Sequence, residues 1–304
     1  MKLAFNMDDI CTRHQESIPV ALEMCTMQER DTQVYKAVRE DTNEIVAAQI
    51  LLLHVDSSIR DEQVKRLEKN LDPLLQFQHP NVMRYFNHQQ VSLQDEVKYR
   101  FLMEFCSGGT LHNYATKSPV TGPLLVNWTH QLLNGLAYLH QHHYVHHQIN
   151  SMHVLLSSAD PATCHLKIAG LAHVKKALEH GGRSMDSNLG MTTRFMSPEE
   201  IMGLGDEVEE SVAQKTDIWS LGCVMIEMVT GTMPKFHKST GADALIEITG
   251  DLAVMYFVGK NGSPTIPSEI SIECENFMKQ CLKNNGTDRP SAEELKGHPF
   301  LSAT

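Results

Sequence analysis

The chain has 304 residues, 26 basic and 37 acidic, for a net charge of −11. So acidic a chain shows no basic footprint, which argues against nucleic acid as a partner. It is 41% hydrophobic, ample for a packed core, yet no apolar run reaches the ~18 residues of a membrane-spanning helix. The opening MKLAFNMDDICTRHQ holds no apolar stretch of signal-peptide length. Seven cysteines are scattered, odd in number and without CxxC spacing, as expected of free thiols in a reducing compartment. The expectation is a cytoplasmic protein with no disulfide, no zinc site and no membrane contact.

Residues 1–18 read as an irregular arm that ends before Pro19. QVYKAVREDTNEIVAAQILLL (33–53) reads as two strands around the polar turn EDTNE. SSIRDEQVKRLEKNLDPLLQFQHP (57–80) has helical spacing at Ile59, Val64, Leu67 and Leu71, and Pro73 should end or kink that helix. VKYRFLMEFC (97–106) is a buried strand by its apolar run, and SGG at 107–109 is a joint. Beyond it the pattern turns helical. LLVNWTHQLLNGLAYLHQHH (124–143) repeats apolar residues every three to four positions. HVLLSS and CHLKIAGLA are two short strands around a turn at Ala159–Ala162, and 173–198 reads as a long polar surface loop. TDIWSLGCVMIEMVTG (216–231) is an apolar helix stopped by Gly231, and SIECENFMKQCL and SAEELKGHPFL are closing helices begun by Ser271 and Ser291. A small β-rich part thus precedes a larger helical one, an α+β chain.

HPNVMRYF, FLMEFCSGGTL, GLAYLH, YVHHQIN, MSPEE, TDIWSLGCVMIEMVTG and DRPSAEELKGHPFL occur in that order. Together they resemble the eukaryotic protein kinase domain over about residues 20–302. HPNVMRYF, DIWSLGCVMIEMVTG and MYFVGKNGSPTIPSEIS are most similar to the MAP-kinase-kinase-kinase branch, the MEKK type of the STE group. The resemblance implies a bilobal α+β fold with an arm at 1–18, a β-rich N-lobe with one helix at 19–106 and a mainly helical C-lobe at 107–304.

Phosphoryl transfer depends on positioning and on charge set against the transferred group. By the resemblance, each residue that supplies that charge can be looked up by register. The strand-three lysine position is Gln49, in VAAQ. The helix glutamate position, nine residues before His79, is Asn70. The Gly-rich loop falls on Met27, Glu29 and Thr32, and no glycine lies between Met1 and Leu53. HRDxKxxN reads His146, His147, Gln148, Ile149, Asn150, Ser151, Met152, His153. Gln148 replaces the catalytic aspartate, and an amide hydrogen-bonds a hydroxyl but cannot take its proton. Asn150 replaces a lysine. His153 replaces a metal-ligating asparagine, and imidazole suits magnesium poorly. KIADFGLA becomes KIAGLAHV, so without a gap Gly170 stands at the metal-binding aspartate. Binding of ATP and magnesium is expected to be weak or absent, with no cofactor.

The resemblance assigns structural roles to what remains. Glu199 and Arg289 form a buried ion pair, and Asp217 anchors the catalytic-loop backbone. Val34, Ala47 and Leu155 match residues that sandwich adenine, with Met103 as gatekeeper and Glu104 to Cys106 as hinge. His146, Leu171 and Leu74 stand in the spine of apolar side chains. His147 takes the place of an arginine that reads activation-loop phosphate, a task an imidazolium does weakly near or below pH ~6.5. Ser184, Ser187, Thr192 and Thr193 are possible phosphoacceptors. His142 and His146 would suit a metal only on a continuous helix, and the register ends the helix first. Three readings follow. The first is a pseudokinase, a non-catalytic regulator or scaffold in a kinase cascade, with an active kinase or another MAP-kinase pathway member as partner. The second is an atypical active Ser/Thr kinase using ATP, against which the loss of both metal-ligand positions speaks. The third is a nucleotide sensor without turnover.

Overall fold

Backbone groups in strands must find partners, and in the N-terminal unit five strands satisfy one another. The computed structural model describes residues 20–29, 32–53, 57–93, 96–171, 175–176, 193–203, 209–239 and 245–302. The chain divides into two units, Met1–Ser107 and Gly108–Thr304, one residue beyond the boundary read from the SGG joint. In the first, β1 (Val20–Glu29), β2 (Thr32–Arg39), β3 (Ile45–Leu52), β4 (Tyr85–Leu93) and β5 (Glu96–Glu104) form an antiparallel sheet in the order β1-β2-β3-β5-β4. The expected polar turn joins β2 to β3, with Asn43 in the left-handed region at φ 58° and its N–H donating to the Arg39 carbonyl. Tyr35, Ala37, Val46, Ala48 and Leu102 pack on one face, and four of these five are fully buried.

Helix α1 (Ser57–Leu71) stops where Pro73 was expected to stop it, and a 3-10 turn over Asp72–Gln76 buries Leu74 completely. The expected apolar stripe starts later than the spacing suggested. Ile59 is 51% exposed, and burial begins at Val64.

The C-terminal unit holds α2 (Leu111–Ala115), α3 (Gly122–Gln141), β6 (Tyr144–Val145), β7 (Val154–Leu156), β8 (Leu166–Ile168) and β9 (Lys175–Lys176). After these come α4 (Pro198–Ile201), α5 (Glu210–Thr230), β10 (His237–Ser239), β11 (Leu245–Glu247), α6 (Asp251–Gly259), α7 (Ile272–Cys281), α8 (Ala292–Leu295) and α9 (Pro299–Ser302). Helix α5 starts six residues before the expected Thr216 and is buried on nearly every side, as its all-round apolar sequence requires. Helices α2, α3 and α7 pack around it, and Gly231 ends it at φ 68°. β7 pairs with β8 in the register Val154↔Ile168, and Asp160 makes the turn between them by accepting from the Ala162 N–H.

Two expectations are corrected. The end of the predicted surface loop is buried: Thr193, Phe195, Ser197 and Pro198 are all inside. Ser197 caps α4 through a capping box with Glu200, and Ser220 Oγ donates to the Phe195 carbonyl. Polar letters here serve internal hydrogen bonds rather than water. Apart from β9, the earlier part of that loop, with Ser184, Ser187 and Thr192, lies outside the described residues. SAEELKGHPFL is two helices, because Pro299 suits a first helical turn and not an interior. Among the described residues no helix is long and apolar enough to cross a membrane.

Candidate functional site

Between β6 and β7 the chain runs from His146 to His153 without strand partners, so its backbone donors need side chains. Asp217, fully buried on α5, supplies them. Its Oδ2 accepts from the His146 N–H at 2.9 Å and its Oδ1 from the His147 N–H at 2.8 Å. His140 Nε2 lies 2.9 Å from Oδ2. Burial alone would raise the Asp217 carboxyl, but the His140 hydrogen bond and the neighbouring histidines outweigh it and hold it below its ordinary range. His146 is fixed at both nitrogens. The Gln148 N–H donates to Nδ1 at 3.2 Å, which assigns the proton to Nε2, and Nε2 donates to the Ala169 carbonyl at 2.7 Å. His147 is held at φ 63°, a strained value for a non-glycine residue, with its N–H tied to Asp217. Its Nδ1 lies 3.3 Å from Glu200 Oε1, while Glu200 Oε2 accepts from the Ser197 N–H. The residue expected at a phosphate-reading position thus faces an internal carboxylate.

Gln148, Asn150, His153 and Gly170 come together in one cluster. The Gln148 carbonyl accepts from Asn150 Nδ2 at 3.0 Å and from His153 Nδ1 at 2.8 Å. Asn150 Oδ1 accepts from the Met152 and His153 N–H groups at 2.9 and 3.0 Å, an Asx turn. The His153 carbonyl accepts from the Ala169 N–H at 2.7 Å, which brings Gly170 against the imidazole. Gly170 sits at φ 79°, and a Cβ there would meet His153 Cγ at 2.9 Å. The cluster's side chains are two amides and an imidazole, so it offers no carboxylate. Magnesium requires oxygen ligands in octahedral array, and these residues do not fit it.

Three carboxylates touch the loop among the described residues, and each is engaged inside the protein. Asp217 and Glu200 are described above. Glu227, fully buried on α5, accepts from Ser151 Oγ at 2.7 Å and lies 2.6 Å from His112 Nδ1. His142 Nδ1 lies 2.8 Å from the Tyr138 carbonyl, one turn back, and His143 Nδ1 lies 2.7 Å from Glu210 Oε1 on α5. Among the described residues no three His, Cys, Asp or Glu side chains converge as a metal site.

Arg289 meets Glu199 in a bidentate pair, with Nη2 2.7 Å from Oε2 and Nη1 donating to Oε1. Nε donates to the Lys283 carbonyl, Nη1 also to Lys215 and Nη2 also to Asn284. All five guanidinium N–H groups are therefore used, and the guanidinium also lies 5.1 Å from the centre of the Trp219 ring.

In the N-terminal unit, strand register decides what Gln49 accompanies. Val34 pairs with Gln49 and Gln49 with Phe101, while Lys36 pairs with Ala47 and Ala47 with Met103. With a period of two, Val34, Lys36, Ala47, Gln49 and Met103 share one face. Lys36 is the one cation that the described residues of β2, β3 and β5 place there, and the sequence argument missed it because it looked for a lysine on β3 alone. Glu104 Oε1 accepts from the Arg84 N–H at 2.8 Å, and Cys106 is half-buried and in no disulfide. Leu155, half-buried in β7, is bridged to Thr110 within the C-terminal unit. Asn70 falls in the last turn of α1, and its side chain lies outside the described ones. Met27, Glu29 and Thr32 flank the β1–β2 hairpin, where Glu29 pairs with Thr32. The chain has no glycine before Gly108.

The model of the protein kinase domain family matches residues 30–301. The chain belongs to the protein kinase domain family. Its kinase domain is 29% identical over 273 residues to the mitogen-activated protein kinase kinase kinase ANP1 of Arabidopsis thaliana, covering 88% of the chain and 37% of that relative. It is 29% identical over 310 residues to the MAP kinase kinase kinase wis4 of Schizosaccharomyces pombe, covering 99% of the chain and 20% of that relative. Against mitogen-activated protein kinase kinase kinase 17 of Arabidopsis thaliana the identity is 30% over 273 residues, with 88% of the chain and 66% of the relative covered. The kinase domain thus spans 37% of ANP1's length and only a fifth of wis4's.

Proposed function

We propose that this kinase domain does not transfer phosphate and instead acts by binding proteins, as a regulator or scaffold in a MAP-kinase cascade. One observation carries the reading: among the described residues, the three carboxylates that touch the loop, Asp217, Glu200 and Glu227, all hold structural bonds inside the protein. A kinase with relocated residues would need a carboxylate facing outward from this loop to serve as base or metal ligand. Gln148, His153 and Gly170 supply none. The names of the relatives support a place among MAP-kinase pathway members; an active kinase of such a pathway as partner and the cytoplasm as location complete the proposal.

A second reading, nucleotide binding without turnover, is favoured by the shared face of Val34, Ala47 and Met103 with Lys36 beside them. Thermal melting with millimolar ATP and magnesium separates the two. A ligand at a hundred times its Kd stabilises by about 2.7 kcal/mol, a shift of several degrees for a chain of this size. The non-catalytic reading expects a negligible shift. A shift of several degrees that requires magnesium supports the atypical-kinase reading, and an equal shift from adenosine alone supports the nucleotide sensor.

A further inference from the structure

The geometry points to an exclusive pair at the two positions that the kinase register reads as metal ligands: the imidazole of His153 stands where any side chain at position 170 would begin, so the metal position is filled and not merely stripped of its ligands. The inference rests on the non-catalytic reading and deepens it. A Cβ on Gly170 would lie 2.9, 3.0 and 3.1 Å from His153 Cγ, Nδ1 and Cδ2. These are ring atoms near the backbone, not the end of a flexible side chain. The ring is fixed. Its Nδ1 donates to the Gln148 carbonyl at 2.8 Å, its residue's N–H donates to Asn150 Oδ1 at 3.0 Å, and its carbonyl accepts from the Ala169 N–H at 2.7 Å. Swinging it aside breaks the first of these bonds.

Gly170 is fitted to the ring in turn. Its φ of 79° is open to glycine and strained for other residues, and it lets the backbone approach the imidazole face. The two departures are therefore complementary. A ring at 153 requires glycine at 170, and an aspartate restored at 170 alone would collide with the ring before it could offer its oxygens.

A double-mutant cycle on the full chain tests this, with Gly170→Ala measured beside His153 and again in the His153→Ala background. The strain of a positive φ is common to both backgrounds and cancels. The expected result is a fall in melting temperature several degrees larger when His153 is present. Equal falls in both backgrounds overturn the pair. Failure of Gly170→Ala to fold in both backgrounds overturns it as well, since backbone strain and not the ring would then exclude a side chain. A manganese titration followed by electron paramagnetic resonance tests the filled position. Gly170→Asp is expected to leave manganese free, and binding of manganese by that single variant contradicts the proposal. None of these outcomes touches the non-catalytic reading, which fails only if the unmodified chain transfers phosphate.

Discussion

Arg289 directs all five of its N–H groups to acceptors inside the protein and is 1% exposed, so any truncation leaves Glu199 buried with its charge unmatched. Arg289→Ala or Glu199→Ala is expected to lose about 3–5 kcal/mol in chemical denaturation, and losses under 0.5 kcal/mol in both would place the pair in solvent. Asp217 makes a second residue-scale prediction. Its folded pKa lies below the usual carboxylate value of ~3.9, so its contribution is complete above that value and is lost as pH falls through the folded pKa. The stability difference between the chain and Asp217→Asn should hold between about pH 5 and 8 and shrink below about pH 4. A difference that vanished already at pH 6 would contradict the assignment. Burial pushes the Cys223 and Cys281 thiols up and raises Cys274 to about 11, so site-mapped alkylation of the native chain should mark Cys106 before those three.

Helix α6 shows what an element's sequence hides. It is apolar on every side, so no stripe announced it, yet only Val254 and Val258 are buried, while Leu252 is 80% exposed and Tyr256 72%. Val254→Ala should cost roughly 2 kcal/mol in denaturation experiments, and Leu252→Ser should stay within about 0.5 kcal/mol. Reversed magnitudes would mean that the helix faces the other way. Elsewhere local chemistry was readable. Pro73 ended α1, Gly231 ended α5, and the polar turns closed β2–β3 and β7–β8 where expected. The buried end of the loop at 193–198 was not, because Ser197 and Thr193 look solvent-facing until their internal partners are known. β10 and β11 are three residues each, too short for periodicity to register.

At the scale of the whole kinase domain, family register alone located Gln49, Gln148, His153 and Gly170, since each departure is a matter of residue identity. What register could not give is tertiary: the His153 ring against Gly170, Glu200 facing His147, and Lys36 sharing a face with Gln49. These depend on which side chains the fold brings together across long stretches of sequence. The frame and the chemistry have separate physical requirements. Buried apolar residues, Asp217 and the Glu199–Arg289 pair hold the fold, and none of them needs a lysine on β3 or a carboxylate at 148 or 170. The most direct test of that separation is transfer of labelled phosphate from ATP, with magnesium, to a generic substrate and to the chain itself. The account predicts no incorporation above background, and no difference between the chain and Gln148→Ala. Incorporation that disappears on Gln148→Ala would contradict it.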